Sequence, residues 1–209
     1  KDAKPPYAQN WNLSLQRALG KDFVVEARYV GTKGTRLPRN IEANPAVWGP
    51  GATAQNADRR RIYANCPTDG TPCQLVHVAL LSNITNSTYH GGQLTVSRRF
   101  SGGLGFSGSY WFSKTLDYLS AMNLTGAAAR PLSGEVDIAQ NPFNLFAEHG
   151  PSLFDARHRF VMSGSWEIPT PKGWGRAAKT MLAGWQLNGI VTASSGTPFT
   201  VFDSANVAG

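Results

Sequence analysis

Charged residues and long apolar runs are both scarce in this sequence. Charged side chains make up 16% of its 209 residues, whereas about 25% is typical of soluble domains. No apolar run approaches the roughly 18 residues that a membrane-spanning helix needs. Glycine and aromatic residues are plentiful instead, with 22 glycines and 11% aromatic residues. This composition argues against a helical bundle and against a disordered tail.

Cysteine is also rare. The two cysteines, Cys66 and Cys73, lie in a segment rich in Gly, Pro, Asn and Thr. Their spacing matches no established zinc pattern, although a metal site could recruit His77 and His90. We therefore predict a local disulfide, which would place the chain in an oxidising compartment. Free thiols and a metal site are the alternatives.

Apolar residues recur at every second position along much of the chain, which is the period of a β-strand. Two alternating runs flank Gly20 and Lys21, and two more flank Ser101, Gly102 and Gly103, as expected for tight hairpins. Two further runs lie near 160–168 and 185–193. The pattern predicts about six strands of roughly 9–18 residues, longer than the 5–6 residues of an average soluble strand.

One side of each predicted strand is apolar and aromatic, and the other carries Ser, Thr, Gln, Asn, Glu and Arg. A soluble β-sandwich turns its apolar face inward, whereas a membrane barrel turns its apolar face outward to lipid. Several aromatic residues lie near strand ends, and amphipathic rings prefer a membrane interface. Alternation by itself is compatible with both folds.

The lengths of the connectors favour the membrane barrel. Short turns join strands one to two and three to four, whereas residues 32–87 and 116–156 form long connectors. Outer-membrane barrels have short periplasmic turns and long outer loops. We therefore predict an all-β, antiparallel transmembrane β-barrel segment, with residues 1–209 as one partial domain and both long loops facing outward. The alternative is a soluble or secreted β-sandwich module that binds carbohydrate or protein.

Several stretches, taken in order, resemble the TonB-dependent outer-membrane receptors. They are 10–17 (NWNLSLQR), 25–35 (VEARYVGTKGT), 89–100 (YHGGQLTVSRRF), 154–160 (FDARHRF), 184–190 (GWQLNGI) and 195–199 (SGTPF). The closest resemblance is to the Oar-like branch, whose members often carry an N-terminal carboxypeptidase-regulatory-like domain. Each string is weak alone, and their joint order is what makes the resemblance specific.

This resemblance implies a barrel of about 22 strands around an N-terminal plug, in the bacterial cell outer membrane. Ligand would bind at the outer loops, and a TonB protein would supply energy by pulling a segment near the receptor's N-terminus. Because the chain has room for about six strands, we expect a fragment of that barrel. Its expected partners are outer-membrane lipid and lipopolysaccharide, the remaining plug and barrel strands, and the TonB complex through the missing N-terminal part.

Two polar clusters are candidate sites. Asp155, Arg157, His158 and Arg159 stand at the start of the fifth predicted strand, where an inward polar wall needs paired groups. We interpret these four as an ion-paired network in the lumen, with a gating or ligand-contacting role as the alternative. The second cluster is a basic surface in the first long loop that would hold anionic lipopolysaccharide or an acidic ligand, or be a solvated loop; it comprises Arg59, Arg60 and Arg61.

The second long loop contains apolar residues that include Tyr118, Phe143 and Phe146. Apolar side chains in an outer loop would fold over the lumen or contact a ligand, which makes these three ligand-contact candidates. Packing against other loops is the simpler interpretation.

No motif for catalysis, cofactors or nucleic acid is recognised. Serines and histidines are present, but no nucleophile-elbow motif frames a serine, and no phosphate-binding glycine loop joins a strand to a helix. The arginines are dispersed and match no nucleic-acid motif, despite the net charge of +7. We expect a non-enzymatic protein without cofactor, resident metal or nucleic-acid partner. An outer-membrane enzyme that uses His158 or Ser163 is a weaker alternative.

Overall fold

The structure, a computed structural model, describes residues 4–76, 78–120, 139, 141–169, 173 and 175–199. These residues form one antiparallel sheet of seven strands. In chain order the strands are β1 (Tyr7–Leu19), β2 (Phe23–Glu42), β3 (Ala79–Ser101), β4 (Leu104–Asp117), β5 (Gly150–Pro151), β6 (His158–Glu167) and β7 (Gln186–Ser194). The predicted all-β antiparallel fold is confirmed: six long strands appear where the alternation placed them, and β5 is a two-residue addition.

The sheet is an up-and-down meander. Its order is β1-β2-β3-β4-β6-β7, with β5 pairing beside β4. Glycines make the two tight hairpins possible, because Gly20, Gly102 and Gly103 adopt φ of 67°, 59° and 81°, a region that side-chain-bearing residues rarely enter. Within the described residues β1 and β7 each pair on one side only, so the sheet is open.

In the part of the chain that the structure describes, helical structure occurs in the connectors. One α-helix, α1 (Arg176–Leu182), lies between β6 and β7, and short 3₁₀ turns occur at Asp58–Arg60 and Leu145–Glu148. In the described part of the chain, no helix has the length and apolarity to cross a membrane.

The alternating pattern places the apolar residues together on one face of the sheet. A single cross-strand row joins Leu15, Ala27, Leu94, Tyr110, Phe160 and Ala193. This face is open, since Leu15 is 69% exposed and Leu187 is 62% exposed. A β-sandwich would bury this face under a second sheet, and the described residues form only one.

Hydrogen-bonded polar side chains occupy the opposite face. Thr95 Oγ1 lies 2.9 Å from Ser109 Oγ across the β3–β4 pair. Arg28 Nη2 is 2.7 Å from Glu26 Oε1 on β2. These contacts give the polar groups partners on this face, as a polar wall requires.

Strands β2 and β3 are longer than the alternation predicts. They pair as far as Glu42 and Ala79, so the first long connector is residues 43–78 and not 32–87. The pairing continues through a register shift near Arg36, whose φ is 58°. Backbone hydrogen bonds between strands do not require alternating apolar side chains. The pairing of β2 with β3 therefore continues beyond the point where the alternation in the sequence stops. The second long connector runs from 118 to 157, close to the predicted bounds.

Candidate functional site

The most buried side chains lie at the end of the sheet that carries the two long connectors. We call this region the cap, and it comprises the described residues within 36–85 and 115–157. Arg39, Asn44 and Ser152 are the largest fully buried side chains. All three are polar, and the rest of the sheet has few buried side chains. The cap is therefore held together mainly by hydrogen bonds, because buried polar groups must find partners.

Arg39, near the end of β2, joins the two connectors. Its side chain is 1% exposed. Its Nη1 donates to the carbonyl oxygen of Tyr118 at 2.8 Å, and its Nη2 lies 3.6 Å from Glu148 Oε2. Tyr118 begins the second connector and Glu148 lies within it, so one buried cation fixes both to the end of β2.

Asn44 organises the first connector. Its backbone N–H donates to Glu42 Oε1 at 2.9 Å, and its Nδ2 donates to the carbonyl oxygen of Val76 at 3.0 Å. Its Oδ1 accepts from the backbone N–H of Tyr63 at 2.7 Å. One buried amide thus ties the start, middle and end of the connector together.

The three adjacent arginines do not form one basic surface. Arg61 is buried and donates to the carbonyl oxygen of Asn44 at 2.8 Å. Arg60 Nη1 donates to the carbonyl oxygen of Val47 at 2.6 Å, and only Arg59 is exposed. The prediction of one basic surface is wrong because the 3₁₀ turn ends at Arg60 and the backbone of Arg61 is extended, so the three side chains leave the chain in different directions.

A disulfide joins Cys66 and Cys73 in the first connector. Outside the closed loop, the backbone N–H of Gln74 donates to the carbonyl oxygen of Asn65 at 2.9 Å. Inside it, the backbone N–H of Thr71 and then its hydroxyl donate to Asp69 and lower the pKa of that carboxyl. His77, which the metal alternative would have recruited together with His90, lies outside the described residues, and those described contain no cluster of three potential metal ligands.

Removing this disulfide is expected to loosen only the first connector. A cross-link across a loop this short contributes about 2–3 kcal/mol in the chain-entropy model. The Cys66→Ser/Cys73→Ser variant should therefore be cut faster by protease within 43–78, while heat-modified migration of the folded barrel stays unchanged. The disulfide would have no stabilising role if the variant, the reduced parent and the oxidised parent were all cleaved at the same rate.

The cap also carries aromatic side chains, most of them exposed. The Tyr118 ring lies 6.4 Å from the Phe146 ring and 4.8 Å from the His149 ring. Phe146 is 83% exposed, and Phe143 is exposed in the turn before it. Sequence reasoning missed Trp48, Tyr63 and Phe154, which are also exposed in the cap. The sequence feature that could have identified these three residues is an aromatic side chain in a connector, outside any alternating strand pattern.

The predicted four-residue lumen network is divided between two faces. Asp155 is buried, and its Oδ1 accepts from the backbone N–H of Thr115 at 2.7 Å. Arg157 Nε lies 3.8 Å from Asp155 Oδ2. His158 instead bonds the hydroxyl of Tyr110 through Nδ1 at 2.7 Å, on the apolar face.

Alternation along β6 explains this correction. Successive side chains of a strand point to opposite faces, so His158 shares the face of Phe160, and Arg159 lies on the polar face beside Trp111. Ser163 is five positions from His158 and therefore lies on the opposite face. His158 and Ser163 therefore do not lie together as a serine–histidine pair.

A family model described as "Outer membrane beta barrel domain" matches residues 1–209. No curated protein and no solved structure matches the chain. The matched range includes every strand of the sheet and both connectors of the cap.

Proposed function

Because the chain belongs to the outer membrane beta barrel domain family and is located in the bacterial outer membrane, we propose that its sheet forms part of the wall of a TonB-dependent transporter. In the wall of an outer-membrane barrel, the exposed apolar face of this sheet contacts lipid and the polar face lines the lumen. The connectors of the cap then face outward, since the opposite end carries the two short hairpin turns and the shorter β6–β7 connector that contains α1. The proposed role is non-enzymatic and uses no cofactor.

The open sheet is the observation that carries the proposal. Strands β1 and β7 do not pair with each other, and a barrel in lipid must close so that no edge is left unpaired. Closure therefore requires strands from outside the described residues or from another chain. Wide barrels of about 16–22 strands enclose an aqueous channel or a plugged lumen, which is the architecture of transport proteins.

The lumen face supports the same proposal. It carries an ion pair between Glu26 and Arg28 and a hydroxyl contact between Thr95 and Ser109. Above it, the cap presents the exposed rings of Phe143 and Phe146, which we propose as ligand contacts. The TonB partner follows from the family resemblance of the sequence and is part of the proposal.

Electrical conductance tests the transporter proposal. The protein is isolated from outer membranes and inserted into planar bilayers. A plugged transporter is expected to show no steady conductance until mild denaturant unfolds its plug, and to close again when the denaturant is removed. A steady open conductance without denaturant would contradict the TonB-dependent type and leave a passive pore.

Capture on the periplasmic domain of TonB tests the energy source. We expect the immobilised domain from the same organism to retain the protein, and an unrelated periplasmic domain to release it. A protein that shows plugged conductance but no retention would overturn the TonB assignment while leaving a gated barrel.

A further inference from the structure

A lysine or histidine lies on the cap side of the lipid-facing row on four strands, whereas two arginines of the same face, Arg17 and Arg98, lie toward the opposite end. Each lysine or histidine lies ten positions along the chain from an apolar residue at the periplasmic end of the same row, and the pairs are Lys33 with Phe23, His90 with Phe100, Lys114 with Leu104, and His158 with Ile168. Ten strand residues rise about 33 Å, which at a tilt of about 45° spans roughly 23 Å, close to the apolar band of outer-membrane barrels of about 25 Å. The four basic residues therefore stand at the outer edge of the bilayer core.

These four residues, which we call the outer belt, are neighbours across the sheet. His90 is the direct partner of Lys114 across the β3–β4 pair. His158 is the direct partner of Phe112, which lies two positions from Lys114 on the same face. Lys33 lies two positions from Gly31, the partner of His90. Because barrel strands are tilted, this diagonal row follows one depth in the membrane.

The two histidines of the outer belt are held in the same way. His90 Nδ1 lies 2.7 Å from the hydroxyl of Tyr29, and His158 Nδ1 lies 2.7 Å from the hydroxyl of Tyr110. The Trp11 ring is 6.1 Å from His90, and the Phe112 ring is 5.2 Å from His158. Within the described chain neither Nε2 has a protein partner, so both can face a ligand.

No carboxylate neutralises this surface within the described strands. The acidic residues in the membrane-embedded rows, Glu26 and Glu167, are at positions that face the lumen. The side chains of Lys33, His90, Lys114 and His158 are all exposed. A cationic belt at the outer headgroup level, flanked by aromatic rings and without acidic partners, is complementary to an anionic headgroup.

We propose that the outer belt binds the phosphate groups of lipopolysaccharide in the outer leaflet. Lys33 and Lys114 pair with phosphate oxygens, the histidine Nε2 atoms add hydrogen bonds, and the Trp11 and Phe112 rings pack beside the upper acyl chains. This site replaces the Arg59–Arg61 surface as the place of lipid contact. It rests on the outer-membrane location and is independent of the transport proposal.

The affinity of the protein for purified lipid A tests the proposal. The protein is isolated from outer membranes, delipidated in detergent and titrated with diphosphorylated lipid A. Because a basic residue near an anionic membrane surface contributes about fivefold in affinity, the Lys33→Gln/Lys114→Gln variant is expected to bind about 25-fold more weakly. The matched control is Lys21→Gln, which makes the same change in the periplasmic turn and should bind like the parent.

One further variant and one further ligand separate the outcomes. Enzymatically dephosphorylated lipid A should bind parent and double variant equally, and Lys33→Arg/Lys114→Arg should keep the parent's affinity. Heat-modified migration in gels verifies that each variant is folded. Equal loss from Lys21→Gln, or a difference that persists with dephosphorylated lipid A, would overturn the outer belt as a phosphate site. Loss of binding in a folded Lys33→Arg/Lys114→Arg variant would overturn it as well.

Discussion

Replacing Val96 by arginine is expected to destabilise the protein folded into a bilayer by about 2–4 kcal/mol, the cost of a basic residue at the midplane on the lipid face. Val96 lies on β3 between His90 and Phe100, close to the middle of the apolar band. Its cross-strand partners are Val25 and Gly108, so no acidic side chain is opposite the new charge. Urea titration of the protein refolded into thin vesicles measures the loss.

The neighbouring residue supplies the matched control. Ser97 follows Val96 on the same strand at nearly the same depth, but its side chain faces the lumen beside Val24 and Ser107. Ser97→Arg adds the same charge to a hydrated surface and is expected to change the folding free energy by less than about 1 kcal/mol. If Ser97→Arg were the more destabilising substitution, the assignment of lipid and lumen faces would have to be reversed.

The sequence predicted the sheet well where both faces carry a signal. Around Leu94 and Tyr110, apolar and polar residues alternate strictly, and the structure pairs these two residues across β3 and β4. Beyond Thr32 the alternation stops, yet β2 continues to Glu42 because its backbone still finds β3. Backbone pairing does not require a particular pattern of side chains, so the outer extensions of β2 and β3 could not be predicted from the sequence.

The site was harder to predict because grouping by sequence proximity ignores strand geometry. Arg157, His158 and Arg159 are consecutive, but once β6 begins at His158 its side chains alternate between lipid and lumen. A strict application of the two-residue period to His158 and Phe160 would have placed His158 on the apolar face. The boundary of β6 was the missing information, since Asp155 and Arg157 belong to the connector.

Arg39 could not have been identified from its own sequence neighbourhood. Its partner carbonyl, at Tyr118, is 79 positions away along the chain. An arginine beside Pro38 in an apparently irregular segment has no pattern that predicts burial. Only the extension of β2 past the register shift at Arg36 brings the side chain under the second connector.

Replacing Arg39 by methionine is therefore expected to separate the two connectors while leaving the sheet folded. Methionine keeps much of the buried volume but removes the donor to the Tyr118 carbonyl and the charge near Glu148. A hydrogen bond from a charged group contributes about 1.5–3 kcal/mol. Local opening of the cap should become about 10- to 150-fold more frequent, because each 1.4 kcal/mol is a factor of about ten.

Amide hydrogen exchange reports this opening directly. The backbone N–H groups of Tyr63 and Thr115, both bonded to buried side chains of the cap, should exchange faster in Arg39→Met by that factor. Amides of the β3–β4 pair away from the cap, around Leu94 and Tyr110, act as an internal reference and should not change. Arg59→Met is the matched control, because it removes an exposed arginine of the same cap. Unchanged exchange in Arg39→Met would show that Arg39 does not couple the connectors, and equal acceleration in Arg59→Met would assign the effect to net charge.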